Sequence, residues 1–87
     1  MYVIIVYDIK VERIDKVRKF LKTYLEWIQN SVFEGEITKA EMRSIIKNLE
    51  KMIKKTEDSV LVYTLRDEKY LERKEIGIQK GNKSNIL

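Results

Sequence analysis

The stretch YVIIVYDI, Tyr2 to Ile9, decides how this chain folds: seven residues suited to burial run together, and one acid, Asp8, stands among them near the end. Side chains alternate across an extended strand, so Tyr2, Ile4, Val6 and Asp8 share one face while Val3, Ile5 and Tyr7 share the other. Both faces are apolar, so both need cover. SVLVYTLR, Ser59 to Arg66, has the same character, with Leu61, Tyr63 and Leu65 opposite Val60, Val62 and Thr64.

Outward from the first strand, Val11, Ile14, Val17, Phe20, Leu21, Tyr24 and Leu25 keep the spacing of an amphipathic helix. WIQNSVFEGEI, Trp27 to Ile37, is rich in aromatic and β-branched residues, with Asn30-Ser31 and Gly35 as places to turn or bulge; it reads as a short hairpin or a kinked strand. Thr38 and Glu41 form a T-x-x-E capping box. A second helix therefore starts there, buries Met42, Ile45, Ile46, Leu49, Met52 and Ile53, and should stop near Thr56. RKEIGIQ, around Ile76 and Ile78, reads as a last strand.

The order strand, helix, strand pair, helix, strand, strand fits an α+β, ferredoxin-like βαββαβ sandwich with an extra C-terminal strand and both helices on one face of an antiparallel sheet. Residues 1–79 form the domain and 80–87 a loose tail. Two helices cover only one face. The other would leave large side chains in water, at roughly 1.5–3 kcal/mol each, and a second copy related by a two-fold axis is the economical cover. The expectation is a homodimer through the helix-free face, with the tail SNIL free to add a strand to the partner's sheet edge.

Composition narrows the chemistry. The 87 residues include neither cysteine nor histidine, which removes disulfides, thiolate metal sites, cysteine nucleophiles and imidazole bases together. No run approaches the roughly 18 apolar residues of a membrane span, and no leader pattern opens the chain, so a cytoplasmic protein without membrane contact is expected. The net charge of +4 and pI near 9.3 suit a polyanionic partner, since clustered cations gain affinity by releasing phosphate counterions; a solvated lysine-rich surface accounts for the same numbers.

Asp8, at a strand end on the face assigned to the partner, would meet its own copy across a two-fold. Paired carboxylates repel unless a cation lies between them, and a hard divalent ion such as Mg²⁺ accepts carboxylate oxygens while keeping its waters. The competing reading is an aspartate that satisfies backbone amides in the turn before the first helix. Ser31 and Asn30 either position a phosphate or serve the turn. Phe33 and Trp27 either stack on bases or pack the core. Arg18 and the helix lysines form either a phosphate track or a solvated face.

VYDI closing the first strand, VRKFLK in the first helix, and IQNSVFEGEIT leading to the second, followed by DSVLVYTLR and EIGI, resemble the small CRISPR-associated endoribonuclease that is the second universal subunit of the spacer-acquisition machinery. The likeness spans nearly the whole chain. It implies a ferredoxin-like homodimer in which Asp8 of each protomer lies at a Mg²⁺ or other divalent site such as Mn²⁺, with Tyr7, Ser31 and Phe33 on motif positions of the family's site. Trp27 stands where some members carry arginine, and Arg13, Lys16 and Arg18 make a different pattern from theirs. The resemblance further implies either metal-dependent cleavage of single-stranded RNA or double-stranded DNA, or a non-catalytic dimeric scaffold that binds nucleic acid and bridges the CRISPR integrase subunits. Under the first, Asp8 and Ser31 are catalytic and Tyr7, Arg18 and Phe33 contact nucleic acid.

Overall fold

The computed structural model describes residues 1–78 and Lys80. The elements run β1 (Tyr2–Asp8), α1 (Val11–Lys22), β2 (Glu26–Gln29), β3 (Val32–Glu36), α2 (Lys39–Met52), β4 (Ser59–Leu65) and a 3₁₀ turn, Glu68–Tyr70. The four strands form one sheet in the order β2-β3-β1-β4, and β1 lies antiparallel to β3 on one side and β4 on the other. This is the βαββαβ arrangement expected.

Alternation along β1 builds the core. Val3, Ile5 and Tyr7 are buried together with Val17 and Leu21 of α1, Met42, Ile45 and Leu49 of α2, and Phe33 of β3, so both helices lie on that face of the sheet. Val17 and Leu21 stand four apart and point the same way from α1; Val11, included in the expected stripe, is exposed at the first turn. Across the sheet, Ile4 and Val6 are half-buried, and Leu61 and Tyr63, their register partners on β4, are each 55% exposed. One apolar face is thus left without a helix.

The hairpin turns on Asn30-Ser31, with Asn30 at φ 44°, a left-handed conformation that asparagine tolerates better than most residues. Trp27 Nε1 donates to the Asn30 carbonyl at 2.9 Å and steadies the turn. The irregularity in pairing falls between Trp27 and Gln29, whereas Gly35 keeps regular register with Val3. Its bare Cα serves another purpose: a Cβ there would come within 3.1 Å of Leu25 Cδ2.

Two expected boundaries shift. The Thr38–Glu41 capping box forms in both directions, but α2 ends at Met52, with Ile53 as its C-cap, rather than near Thr56. The reason is Asp58, whose Oδ2 takes the Lys54 amide at 2.8 Å and so withdraws the donor that would have continued the helix. The expected final strand around Ile76 and Ile78 is not formed: residues 71–78 have no regular structure, and these two side chains are 94% and 84% exposed. A strand needs a neighbour for its backbone groups, and among the described residues this segment has none. The tail SNIL lies outside the described residues. Among the described residues no helix is long and apolar enough to cross a membrane.

Candidate functional site

Asp8 ends β1 on the helix-free face and is exposed. Its register partner on β4 is Ser59. On the other flank the ladder to β3 is extended by one step, the Tyr7 amide donating to the Ser31 carbonyl at 3.1 Å. The fold therefore brings Asp8 and Ser31 to the same end of the sheet, as a catalytic assignment requires.

The carboxylate of Asp8 has no hydrogen-bond or ion-pair partner among the described residues. The amide-satisfying role that would explain it structurally belongs to another acid. Asp58 Oδ1 accepts from the Lys10 amide at 2.9 Å, and its Oδ2 accepts from Lys54 N at 2.8 Å and Arg13 Nε at 2.6 Å. Arg13 also reaches Asp58 Oδ1 at 3.0 Å and Glu57 Oε1 at 2.8 Å. These hydrogen bonds, the one from Arg13 foremost, hold the Asp58 carboxyl well below the usual carboxylate range, and the same bonds raise Arg13 further above its ordinary value. Sequence reading missed this cluster. The acid of EDSV is a visible turn signal before a strand, but nothing in the sequence couples it to an arginine 45 residues away.

The remaining expected residues separate. Tyr7 and Phe33 lie in the core, their rings stacked with centroids 6.2 Å apart; Phe33 has no exposed surface and supports the sheet end from within. Burial pushes the Tyr7 hydroxyl above its ordinary pKa, and the positive charge of Arg18 partly offsets this. Arg18 is exposed on α1, with Asp15 at 4.0 Å. It thus sits near the same sheet end, on the helix side.

A further polar group lies on the helix-free face. Glu34, opposite Ile4, is buried; the Tyr2 hydroxyl donates to its Oε1 at 2.6 Å, and Arg73 pairs with it from the C-terminal segment. Residues 71–73 are thereby drawn over Tyr2.

As a cation site, Asp8 offers a hard oxygen donor with no thiolate or imidazole beside it, which suits Mg²⁺ or Mn²⁺ and their retained waters. Among the described residues no group of three or more acids or other metal ligands gathers within one chain.

Comparison with known proteins identifies the family. The chain is 51% identical to the CRISPR-associated endoribonuclease Cas2 of Methanosarcina acetivorans, over the whole of both chains. It is 44% identical to a protein solved as a crystal structure of Cas2, with a TM-score of 0.87 over 100% of this chain and 97% of the other. Streptococcus pyogenes Cas2 superimposes with a TM-score of 0.73 at 31% identity, over 86% of this chain and 100% of that one. The family described as CRISPR associated protein Cas2 matches residues 1–73, the whole of the βαββαβ unit, and the chain belongs to that family.

Proposed function

We propose that the chain is a divalent-cation-dependent endoribonuclease that works as a two-fold homodimer in the cytoplasm, each protomer lending Asp8 to a shared cleft. One observation carries the reading: Asp8 is exposed and, among the described residues, unpartnered at the rim of an apolar, helix-free face, while the local structural duty falls to Asp58. The name of the M. acetivorans relative supports cleavage of RNA as the chemistry.

Pairing two helix-free faces buries Leu61 and Tyr63 and completes a two-carboxylate donor set. A Mg²⁺ or Mn²⁺ held there would supply Lewis-acid polarisation of the phosphodiester and lower the pKa of an attacking water. Asp8 holds that ion. Ser31, on the adjoining turn, hydrogen-bonds a non-bridging phosphate oxygen and orients the scissile group. With no histidine in the chain, imidazole takes no part. Arg18 and the exposed lysines of α1, Lys16, Lys19 and Lys22, hold the strand by its phosphates.

A second reading, a dimeric nucleic-acid scaffold that bridges the CRISPR integrase subunits without cleaving, draws on the absence of any cluster of three or more metal ligands among the described residues of one chain. Cleavage of single-stranded RNA and double-stranded DNA by wild type and Asp8→Asn, purified side by side with and without Mg²⁺, separates the two. The nuclease reading expects the variant to remain dimeric and lose activity by at least ~100-fold, as removal of a transition-state group does. Equal cleavage by both proteins leaves the scaffold standing.

A further inference from the structure

We propose that Asp58, held by Arg13, is a positioning residue that fixes where the Asp8 carboxylate points. The inference rests on the nuclease reading above and adds to it a pair of side chains that themselves touch neither ion nor substrate.

The argument begins at the start of α1. A helix of this kind is ordinarily capped by its own preceding residue, but that position is Lys10, whose side chain accepts nothing. Asp58, 48 residues away, instead accepts from the amide of Lys10 itself. This arrangement is more costly to assemble than a local serine or aspartate, because it buries a carboxylate completely and then requires a guanidinium to neutralise it. What it adds is location. Asp58 immediately precedes Ser59, the register partner of Asp8, and it grips Lys10, two residues after Asp8.

Both flanks of Asp8 are therefore tied to one carboxylate. On one side is the start of β4; on the other is the short link Ile9-Lys10, with Ile9 buried beneath it. Through Lys54 the same acid also fixes the end of α2. Among the described residues Asp8 itself has no partner to hold it, so its carboxylate can be no better placed than the backbone that carries it. A group that binds a cation or a reacting phosphate loses effectiveness steeply with sub-ångström misplacement, and partners that orient a ligand from behind affect metal affinity or turnover by roughly 10–100-fold.

The test compares wild type with Asp58→Asn, Arg13→Gln and Arg13→Lys as full chains. Three readouts are taken: hydrogen exchange of the Ile9 and Lys10 amides, NMR order of the Asp8 side chain together with Mn²⁺ titration of it, and steady-state cleavage of single-stranded RNA. For Asp58→Asn and Arg13→Gln we expect faster exchange at Ile9 and Lys10, lower order at Asp8, and a ~10-fold or larger rise in the half-saturating Mn²⁺ concentration. We also expect kcat to fall by ~10–100-fold with KM little changed, and Arg13→Lys to recover part of each loss. Faster exchange with unchanged Asp8 order and unchanged Mn²⁺ titration would overturn the proposal, because the cluster would then hold the Lys10 backbone alone. Should Asp58→Asn fail to fold, Arg13→Gln and Arg13→Lys decide by the same readouts. The nuclease reading fails separately, by equal cleavage in wild type and Asp8→Asn; Asp8 order in the Arg13 variants then still judges the positioning claim.

Discussion

The Tyr2 hydroxyl donates to Glu34 Oε1 at 2.6 Å inside the face that no helix covers, and Arg73 closes the pair from beyond the 3₁₀ turn. A carboxylate buried on a sheet surface has lost its water and relies on these donors. Replacing Arg73 with alanine removes the charged partner and leaves the acid under-compensated, at an expected cost of roughly 1–3 kcal/mol. The urea midpoint should fall accordingly. The double variant Glu34→Gln, Arg73→Ala should recover part of the loss, since an amide tolerates the same site without a countercharge.

The Asp58 carboxyl, depressed by Arg13 and two backbone amides, links stability to acid. A carboxyl whose folded pKa lies below its unfolded value binds fewer protons in the native state, so its contribution is complete above the unfolded pKa of about 3.9. It is lost progressively as pH falls from there toward the folded value. Thermal melts in the range of roughly pH 2–5 should show a steeper decline for wild type than for Asp58→Asn, while Asp58→Asn should be the less stable of the two near pH 7.

Leu61 is the natural probe of the helix-free face, being more than half exposed beside Val6. Burying such a side chain is worth roughly 1.5–3 kcal/mol, and a two-fold applies that twice. Leu61→Glu should shift sedimentation from dimer to monomer at micromolar concentration while leaving the far-ultraviolet spectrum intact. RNA cleavage should disappear with the dimer.

Arg18 has a neighbour on each side, Asp15 and the Tyr7 hydroxyl. If it contacts one phosphate of a single strand, Arg18→Ala should reduce the slope of log K against log salt by about 0.7. In the same variant the Tyr7 hydroxyl should titrate at higher pH than in wild type, because the charge that opposes the effect of burial is gone. Absorbance titration against Tyr7→Phe isolates that one ring.

The core was legible in the sequence because periodicity encodes it. Val3, Ile5 and Tyr7 at every second place, and Val17 with Leu21 or Ile45 with Leu49 at every fourth, name their own faces, and Thr38 with Glu41 marks a helix start that formed as written. Asp8 was legible as an acid where an apolar strand had no need of one. The long-range polar pairs were not. Arg13 with Asp58, and Arg73 with Glu34, join residues 45 and 39 apart, and charge pairing over such distances leaves no local pattern. Glu34 shows the limit well: alternation puts it opposite Ile4 on the helix-free face, yet the Tyr2 hydroxyl and the path of the C-terminal segment together explain how a carboxylate stays buried there. The same segment defeated the expectation of a last strand, since Ile76 and Ile78 alternate properly but, among the described residues, have no ladder to join.

A centre that needs Asp8 from both protomers, as proposed, is bimolecular. Below the dissociation constant of the pair, the total rate of cleavage should vary with the square of protomer concentration, so that scarcity alone keeps the scissors open and empty. A cell holding this protein at low copy number would spare its own transcripts without an inhibitor, and a surge in synthesis would arm it.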